Sequence, residues 1–248
     1  MKFKEDLSEL INPATNFTGD LNFPAPEEIK IYDTTLRDGE QTPGVAFAPE
    51  QKFLIAKALS DVGVDILDMG FPTVSSSERD ALRRVMLGKA RGDIREDMEV
   101  LVMCRSVKGD VDATIEALKD VDIDPREVSF FVFTAGSDLH VKYKLGKTLL
   151  RREGKDPEQW LELPLSFYRE ANKKMIAEVI SYAKSCGVVK IEAGMGEDGS
   201  RADIDYLIDL GKGCLEAGAD RLSIADTVGV LTPESTKFYM GRLLEAFP

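Results

Sequence analysis

The sequence predicts an α/β fold organised on a parallel sheet. Three observations carry this expectation: short apolar runs recur along the chain, stretches of helical periodicity separate them, and polar residues gather where the runs end. Strictly alternating units of this kind make either a doubly wound sheet or a closed barrel, and both place functional residues at the carboxyl ends of the strands.

Residues 1–28 hold Pro13, Pro24 and Pro26 among polar residues, which predicts a short amphipathic turn and then an extended arm without a catalytic role. Ile29 and Ile31, alternating with Lys30 and Tyr32, begin the first strand, and Gly39, Pro43 and Gly44 stop and turn it. FAPEQKFLIAKALSDVGV follows, with Pro49 at a first helical position, Phe53, Ile55, Ala56, Leu59 and Val62 at helical spacing, and Gly63 as the cap. VDILDMG is the second strand, and Ser75 to Ser77 can cap a helix carrying Ala81, Leu82 and Val85. MEVLVMC is the third strand and VDATIEALKDV a helix, after which EVSFFVF, VVKIEAG and DRLSIAD supply strands four to six. Between strands four and five, residues 146–170 insert extra charged, helix-forming material around Trp160. Residues 29–248 are therefore expected to form one catalytic domain behind the arm.

A chain of 248 residues can bury a substantial core. With 44 acidic against 32 basic side chains, its net charge of −12 argues against nucleic acid or an anionic membrane surface as the main partner. Cys104, Cys186 and Cys214 are far apart and lack metal-ligand spacing, which predicts reduced thiols in or near the core of a cytoplasmic protein. MKFKEDLSEL has no apolar signal core, and no stretch approaches the length of a membrane span.

The chemistry is expected where the first strand ends, among Asp33, Arg37, Asp38, Glu40 and Gln41. Asp38 is a hard oxygen donor suited to a divalent metal, and Arg37 is a fixed cation able to hold an enolate or carboxylate oxygen. The plainer alternative is a solvated turn with an Arg/Asp pair. GMGEDG, residues 194–199, matches G-x-G-x-x-G literally, yet it follows the fifth strand, and Glu197 with Asp198 would set negative charge beside a pyrophosphate. Arg105, just past the third strand, could hold a substrate carboxylate. Lys142, Lys144, Lys147, Arg151 and Arg152 form the one basic cluster of an acidic chain, read as a solvated helix face or as a match for coenzyme A phosphates.

DTTLRDGEQTPG, residues 33–44, resembles the first-strand signature of the isopropylmalate, homocitrate and citramalate synthase family, metal-dependent TIM barrels related to the lyases of 3-hydroxy-3-methylglutaryl-CoA. The resemblance implies a TIM (β/α)8 barrel of which this chain carries about six strand-helix units. It further implies a biosynthetic acyltransferase that condenses acetyl-CoA with a small 2-oxo acid and then hydrolyses the thioester. Arg37 would be the catalytic electrophile, Asp38 a ligand of magnesium, manganese or zinc, and Gln41 a substrate contact. EDGSRAD, residues 197–203, resembles the family's E-D-x-x-R segment, which gives Glu197 a catalytic place and makes Arg201 a loop brace. ADTVG, residues 225–229, resembles P-D-T-x-G with alanine for proline, and makes Thr227 a substrate contact while Asp226 orients the loop. SDLHVKYKL, residues 137–145, resembles S-D-x-H-x-x-x-K-L and places His140 at substrate, although a lone histidine is as often structural.

The family's seventh strand carries a His-x-His pair that completes the metal site, whereas His140 is the single histidine here. A carboxyl-terminal region or a second chain is expected to supply that pair, and a homodimer is the expected assembly. Two alternatives keep the fold: a metal-dependent carbon–carbon lyase or aldolase, and a non-catalytic part of a split enzyme.

Overall fold

The computed structural model describes residues 25–247. The chain divides into two compact units, one ending at Ile31 and one beginning at Tyr32. Of the arm expected over residues 1–28, all but the last few residues lie outside the described residues. Those few form a 3-10 turn, Pro26–Glu28, in which the Ala25 amide donates to Glu28 Oε2 at 2.9 Å.

The second unit is built on six parallel strands: β1 (Tyr32–Asp33), β2 (Ile66–Asp68), β3 (Glu99–Arg105), β4 (Val128–Ala135), β5 (Ile191–Glu197) and β6 (Arg221–Ile224). They lie in the order β1-β2-β3-β4-β5-β6, each beside its sequence neighbour. That order bears out the barrel implied by the first-strand resemblance over the doubly wound sheet that periodicity also allowed, because a doubly wound sheet reverses direction at a switch point and a barrel does not. The chain forms part of a TIM barrel. Its helices are α1 (Pro49–Val62), α2 (Ser76–Ala90), α3 (Lys108–Lys119), α4 (Gly146–Arg152), α5 (Leu165–Ser185), α6 (Ile204–Glu216) and α7 (Pro233–Ala246).

Strand alternation sorts the side chains into two sets. Val100, Val102 and Cys104 of β3, Phe130 and Val132 of β4 and Ile191 and Ala193 of β5 are fully buried, in one core with Leu82, Val111, Ile176, Val179 and Leu207 from the helices. Met103, Phe131 and Phe133 alternate with that set and line a cleft on the opposite face. Trimming one of the large core side chains to alanine typically costs about 2–5 kcal/mol.

Local signals explain the element ends. Pro49 opens α1, the Ala48 amide donates to Gln51 Oε1 at 2.8 Å, and Gly63 closes the helix at φ +96°, a conformation that glycine adopts without strain. Ser75 caps α2 by accepting from the Glu78 amide at 3.1 Å. The insertion expected over residues 146–170 is α4, a 3-10 turn, Pro157–Gln159, and the start of α5, and a π-turn, His140–Lys144, precedes it. The first strand departs from its expected start. Ile29 and Ile31 are about half exposed and precede the ladder, which begins with Tyr32 opposite Ile66, since a strand paired on one side only stays short.

The glycines of GMGEDG have a packing explanation. A Cβ on Gly194 would fall 2.5 Å from the Phe131 ring, and one on Gly199 would fall 2.5 Å from Ile224. Close approach of neighbouring strands and loops requires these glycines, without any appeal to a pyrophosphate. Cys104 and Cys214 are buried, Cys186 is partly so, and all three are free thiols.

Candidate active site

The turn after β1 is wound around one carbonyl. Thr34 O accepts from the amides of Arg37, Asp38 and Gly39 at 3.1, 2.8 and 3.1 Å, and Asp33 Oδ1 accepts from the Thr35 amide at 2.9 Å. This wrap aims Arg37 across the carboxyl end of β2. There its Nε donates to Asp68 Oδ2 at 2.9 Å, and its Nη1 to Asp38 Oδ1 at 3.0 Å. Asp68 is fully buried; its second oxygen accepts from the Gly70 amide at 2.9 Å, and the Tyr32 hydroxyl donates to Oδ2 at 3.2 Å. Burial alone would lower the Arg37 pKa, but the hydrogen bond and charge of Asp68 outweigh it and hold the guanidinium above its ordinary value. Burial and then Asp68 push the Tyr32 phenol upward, so it stays a neutral donor. Arg37 is thus a fixed cation, braced on one edge, with Nη2 outside both pairs.

A cleft of about 480 Å³ opens beside it, lined by Arg37, Asp38, Gln41, Glu197 and Thr227 over an apolar wall of Phe71, Met103, Phe131 and Phe133. Five of the seven residues expected at a site therefore share one cavity. Glu197 takes both contacts of the Lys144 ammonium, at 2.6 and 2.7 Å. The Thr227 hydroxyl oxygen accepts from the Asp198 amide at 2.9 Å and keeps its own proton to donate. Asp198, fully buried and in the left-handed region at φ +62°, organises this side. Arg201 donates to it at 2.7 and 2.8 Å and Ser137 Oγ at 2.5 Å; the Arg201 bonds above all hold its carboxyl below the usual range. Arg201 braces this loop as expected, and Asp226 orients the next by accepting from the Val230 and Leu231 amides at 3.1 and 3.0 Å.

Two expected residues stand apart from the cleft. Arg105 turns back on its own segment, making a two-point ion pair with Asp110 in the first turn of α3, Nε and Nη2 both at 2.8 Å. It lines a second cavity of about 560 Å³, to which Glu197 also contributes. The His140 imidazole lies with Nε2 3.8 Å from Asp198 Oδ2, while its Nδ1 is buried and unpartnered. Most of the basic cluster is neutralised within the fold: Lys144 by Glu197, Lys147 by Glu158 and Arg152 by Glu178. Asp68, the support of Arg37, is not among the residues expected at the site. Its signal was an acid inside the apolar run VDILDMG, where burial demands a partner.

Among the described residues no group of three or more His, Cys, Asp or Glu side chains is placed to hold a metal. Asp38 offers one carboxylate, 62% exposed and already paired with Arg37. The described residues do not fit a divalent cation by themselves.

Comparison with known proteins adds independent findings. A family profile described as HMGL-like matches residues 28–153 and 158–248. A probable 2-isopropylmalate synthase of Ignicoccus hospitalis is 39% identical over 223 residues, covering 89% of this chain and 46% of that protein. A putative (R)-citramalate synthase of Methanopyrus kandleri is 41% identical over 221 residues, 89% of this chain and 36% of its own length. A homocitrate synthase of Sulfurisphaera tokodaii is 41% identical over 222 residues, again 89% of this chain and 41% of that one. The chain thus spans less than half the length of each of these relatives. In structure it resembles an HMG-CoA lyase of Bacillus subtilis with a TM-score of 0.60 at 19% identity, over 91% of this chain and 67% of that one, a likeness of fold.

Proposed function

Because the chain belongs to the HMGL-like family, we propose that it carries the catalytic face of a synthase that joins the methyl carbon of acetyl-CoA to the ketone carbon of a 2-oxo acid. The carrying observation is Arg37, a cation locked by a buried carboxylate at the mouth of a partial barrel, lining a cleft of about 480 Å³ and holding Asp68 and Asp38 through Nε and Nη1. Relatives bearing synthase names at about 40% identity support the reading.

In this chemistry a methyl proton is removed, the carbanion attacks the ketone carbon, and the ketone oxygen becomes an alkoxide that takes up a proton. Water then adds to the thioester carbonyl, and the coenzyme A thiol leaves. Negative charge appears on oxygen at each stage, and a prepositioned guanidinium stabilises it without reorganising. Gln41 and the Thr227 hydroxyl supply neutral donors for the carboxylate of the acid. Glu197, tethered by Lys144, stands in the cleft as the group that exchanges a proton with substrate or water. Asp38 is proposed as one ligand of a divalent cation whose remaining ligands come from outside residues 25–247, and none of the steps above depends on it.

The test is thiol release from acetyl-CoA by the full-length protein against a panel of small 2-oxo acids. Release that requires one of those acids, and that falls sharply in Arg37→Ala, supports the assignment. Absence of release with every acid, or undiminished turnover in Arg37→Ala, overturns it. A carbon–carbon lyase would release no thiol under these conditions.

A further inference from the structure

Lys52, on α1, is a charged side chain only 1% exposed, and it does not line the cleft. Its ammonium lies 2.6 Å from Glu40 Oε2, 2.6 and 2.8 Å from the two oxygens of Glu78, and 3.5 Å from the Leu36 carbonyl. Leu36 immediately precedes Arg37, and Glu40 follows Asp38 by two residues. One buried cation therefore grips the turn on both sides of the arginine and aspartate that face the cleft. Glu40 extends the grip, because its other oxygen accepts from the Phe47 amide at 2.8 Å, where the chain enters α1.

The second carboxylate ties this turn to the next loop. Glu78 sits in the first turn of α2, its amide held by the Ser75 cap. A Cβ on Gly70 would lie 3.6 Å from both Glu78 Oε2 and Arg37 Cγ, so the carboxylate and the arginine stem meet over that glycine. Burying an ammonium is expensive unless every donor is used, and here its donors meet two carboxylates and a carbonyl. An apolar side chain would fill the same space more simply. The charged group gives what an apolar one cannot, directional bonds to three points, two on the turn after β1 and one in the first turn of α2.

We propose that Lys52 is the positioning residue of the site, a strut that fixes the Arg37–Asp38 turn to the amino ends of α1 and α2 without touching substrate. This rests on the reading that Arg37 acts on substrate, and the test keeps the two separable. In the full-length protein, Lys52→Met combined with Glu40→Gln and Glu78→Gln removes the strut together with the charges it would leave bare. The expected result is a melting temperature close to the parent, an unchanged KM for acetyl-CoA, and turnover reduced roughly 10- to 100-fold, the scale of a small misplacement of a reacting group. Hydrogen exchange at the Asp38 and Gly39 amides, bonded to Thr34 O, is expected to quicken at least about tenfold while core strands are unchanged. Turnover and exchange both within twofold of the parent overturn the proposal. Should the triple variant fail to fold, Lys52→Arg decides: it keeps the charge and loses the three-point geometry, so a fivefold or greater fall in turnover supports the strut and full turnover refutes it. Were the parent itself to release no thiol, the functional reading would fall, and the exchange rates would still judge Lys52.

Discussion

Two arginines on the cleft-bearing face of the sheet each meet a pair of carboxylates, one near the amino ends of the strands and one at the carboxyl ends. Arg221 of β6 reaches Glu99 of β3 at 2.5 and 3.2 Å and Glu192 of β5 at 3.1 Å. All three stand on strands, and Glu192 pairs directly with Arg221 in the ladder. Arg37 meets Asp68 from a strand, but its second partner, Asp38, rides on the exposed turn beside it. In the first cluster every charge stands on a paired strand, so it works as a clasp joining β3, β5 and β6. In the second, one carboxylate is immobile and the other can turn toward a ligand, which is the asymmetry a reactive site needs.

The sharpest way to break this comparison is to remove each arginine's role and ask which property fails. Arg37→Ala is expected to lower turnover by about 10²–10³, or roughly 3–4 kcal/mol of transition-state stabilisation, and also to lower the melting temperature, because the buried Asp68 carboxylate is left with only the Tyr32 hydroxyl and the Gly70 amide. Steady-state kinetics beside a thermal melt measures both. Asp68→Asn keeps the shape and weakens the charge-assisted bond to Arg37, and should cost about tenfold in turnover, on the scale of one such bond. An Asp68→Asn protein with parental kinetics would show that Arg37 is aimed by its own turn alone.

At the other end, Glu99→Ala should leave turnover per folded molecule intact and reduce stability by about 1–2 kcal/mol, since Arg221 keeps Glu192 and some solvent and so is only partly stranded. Urea unfolding reads this directly. A loss of turnover equal to that of Arg37→Ala would erase the distinction between clasp and site.

What the sequence disclosed follows the same division. The alternation of apolar runs and helical spacing was sufficient for parallel β/α units, because periodicity is a local property. Periodicity left barrel against doubly wound sheet open, because strand order is decided by pairing between distant segments; the barrel came from the resemblance of residues 33–44, and the β1-to-β6 ladder bears it out. At the site, residues in the turns that end strands, Arg37, Asp38, Gln41, Glu197 and Thr227, share a cleft as their positions foretold. Arg105 also ends a strand, yet Asp110 five residues on captures it, a pairing visible only once α3 begins. His140 sits in a π-turn whose extra residue shifts its phase, and its Nε2 rests near Asp198 instead of the cleft. Asp68 and Lys52 were hidden for a common reason: each acts through a partner more than 20 residues away.

The smallest expected effect concerns acid, and it asks which end of the partial barrel gives way first. Burial alone would raise the Glu99 carboxyl, but hydrogen bonds from Arg221 and Ser129 outweigh it and leave it lowered; Asp198 is lowered chiefly by Arg201. For a carboxyl depressed by folding, the unfolded chain binds the proton first, so its stabilisation is complete above the ordinary carboxylate pKa of about 4 and drains away as pH falls through the lower folded value. Asp198→Asn removes that dependence at the loop behind Glu197 and Thr227, and Glu99→Gln removes it at the clasp. Each variant should therefore be less stable than the parent at neutral pH, with the gap narrowing steadily below about pH 4 as the parent loses the same interaction. Because the Asp198 carboxylate is wholly enclosed while that of Glu99 keeps some solvent, the Asp198 gap should be the wider at neutral pH. Unfolding free energies of the three proteins from pH 7 to pH 3 give the answer, and a gap at Asp198 that persists undiminished at pH 3 would mean that its ion pair with Arg201 is not what stabilises the loop.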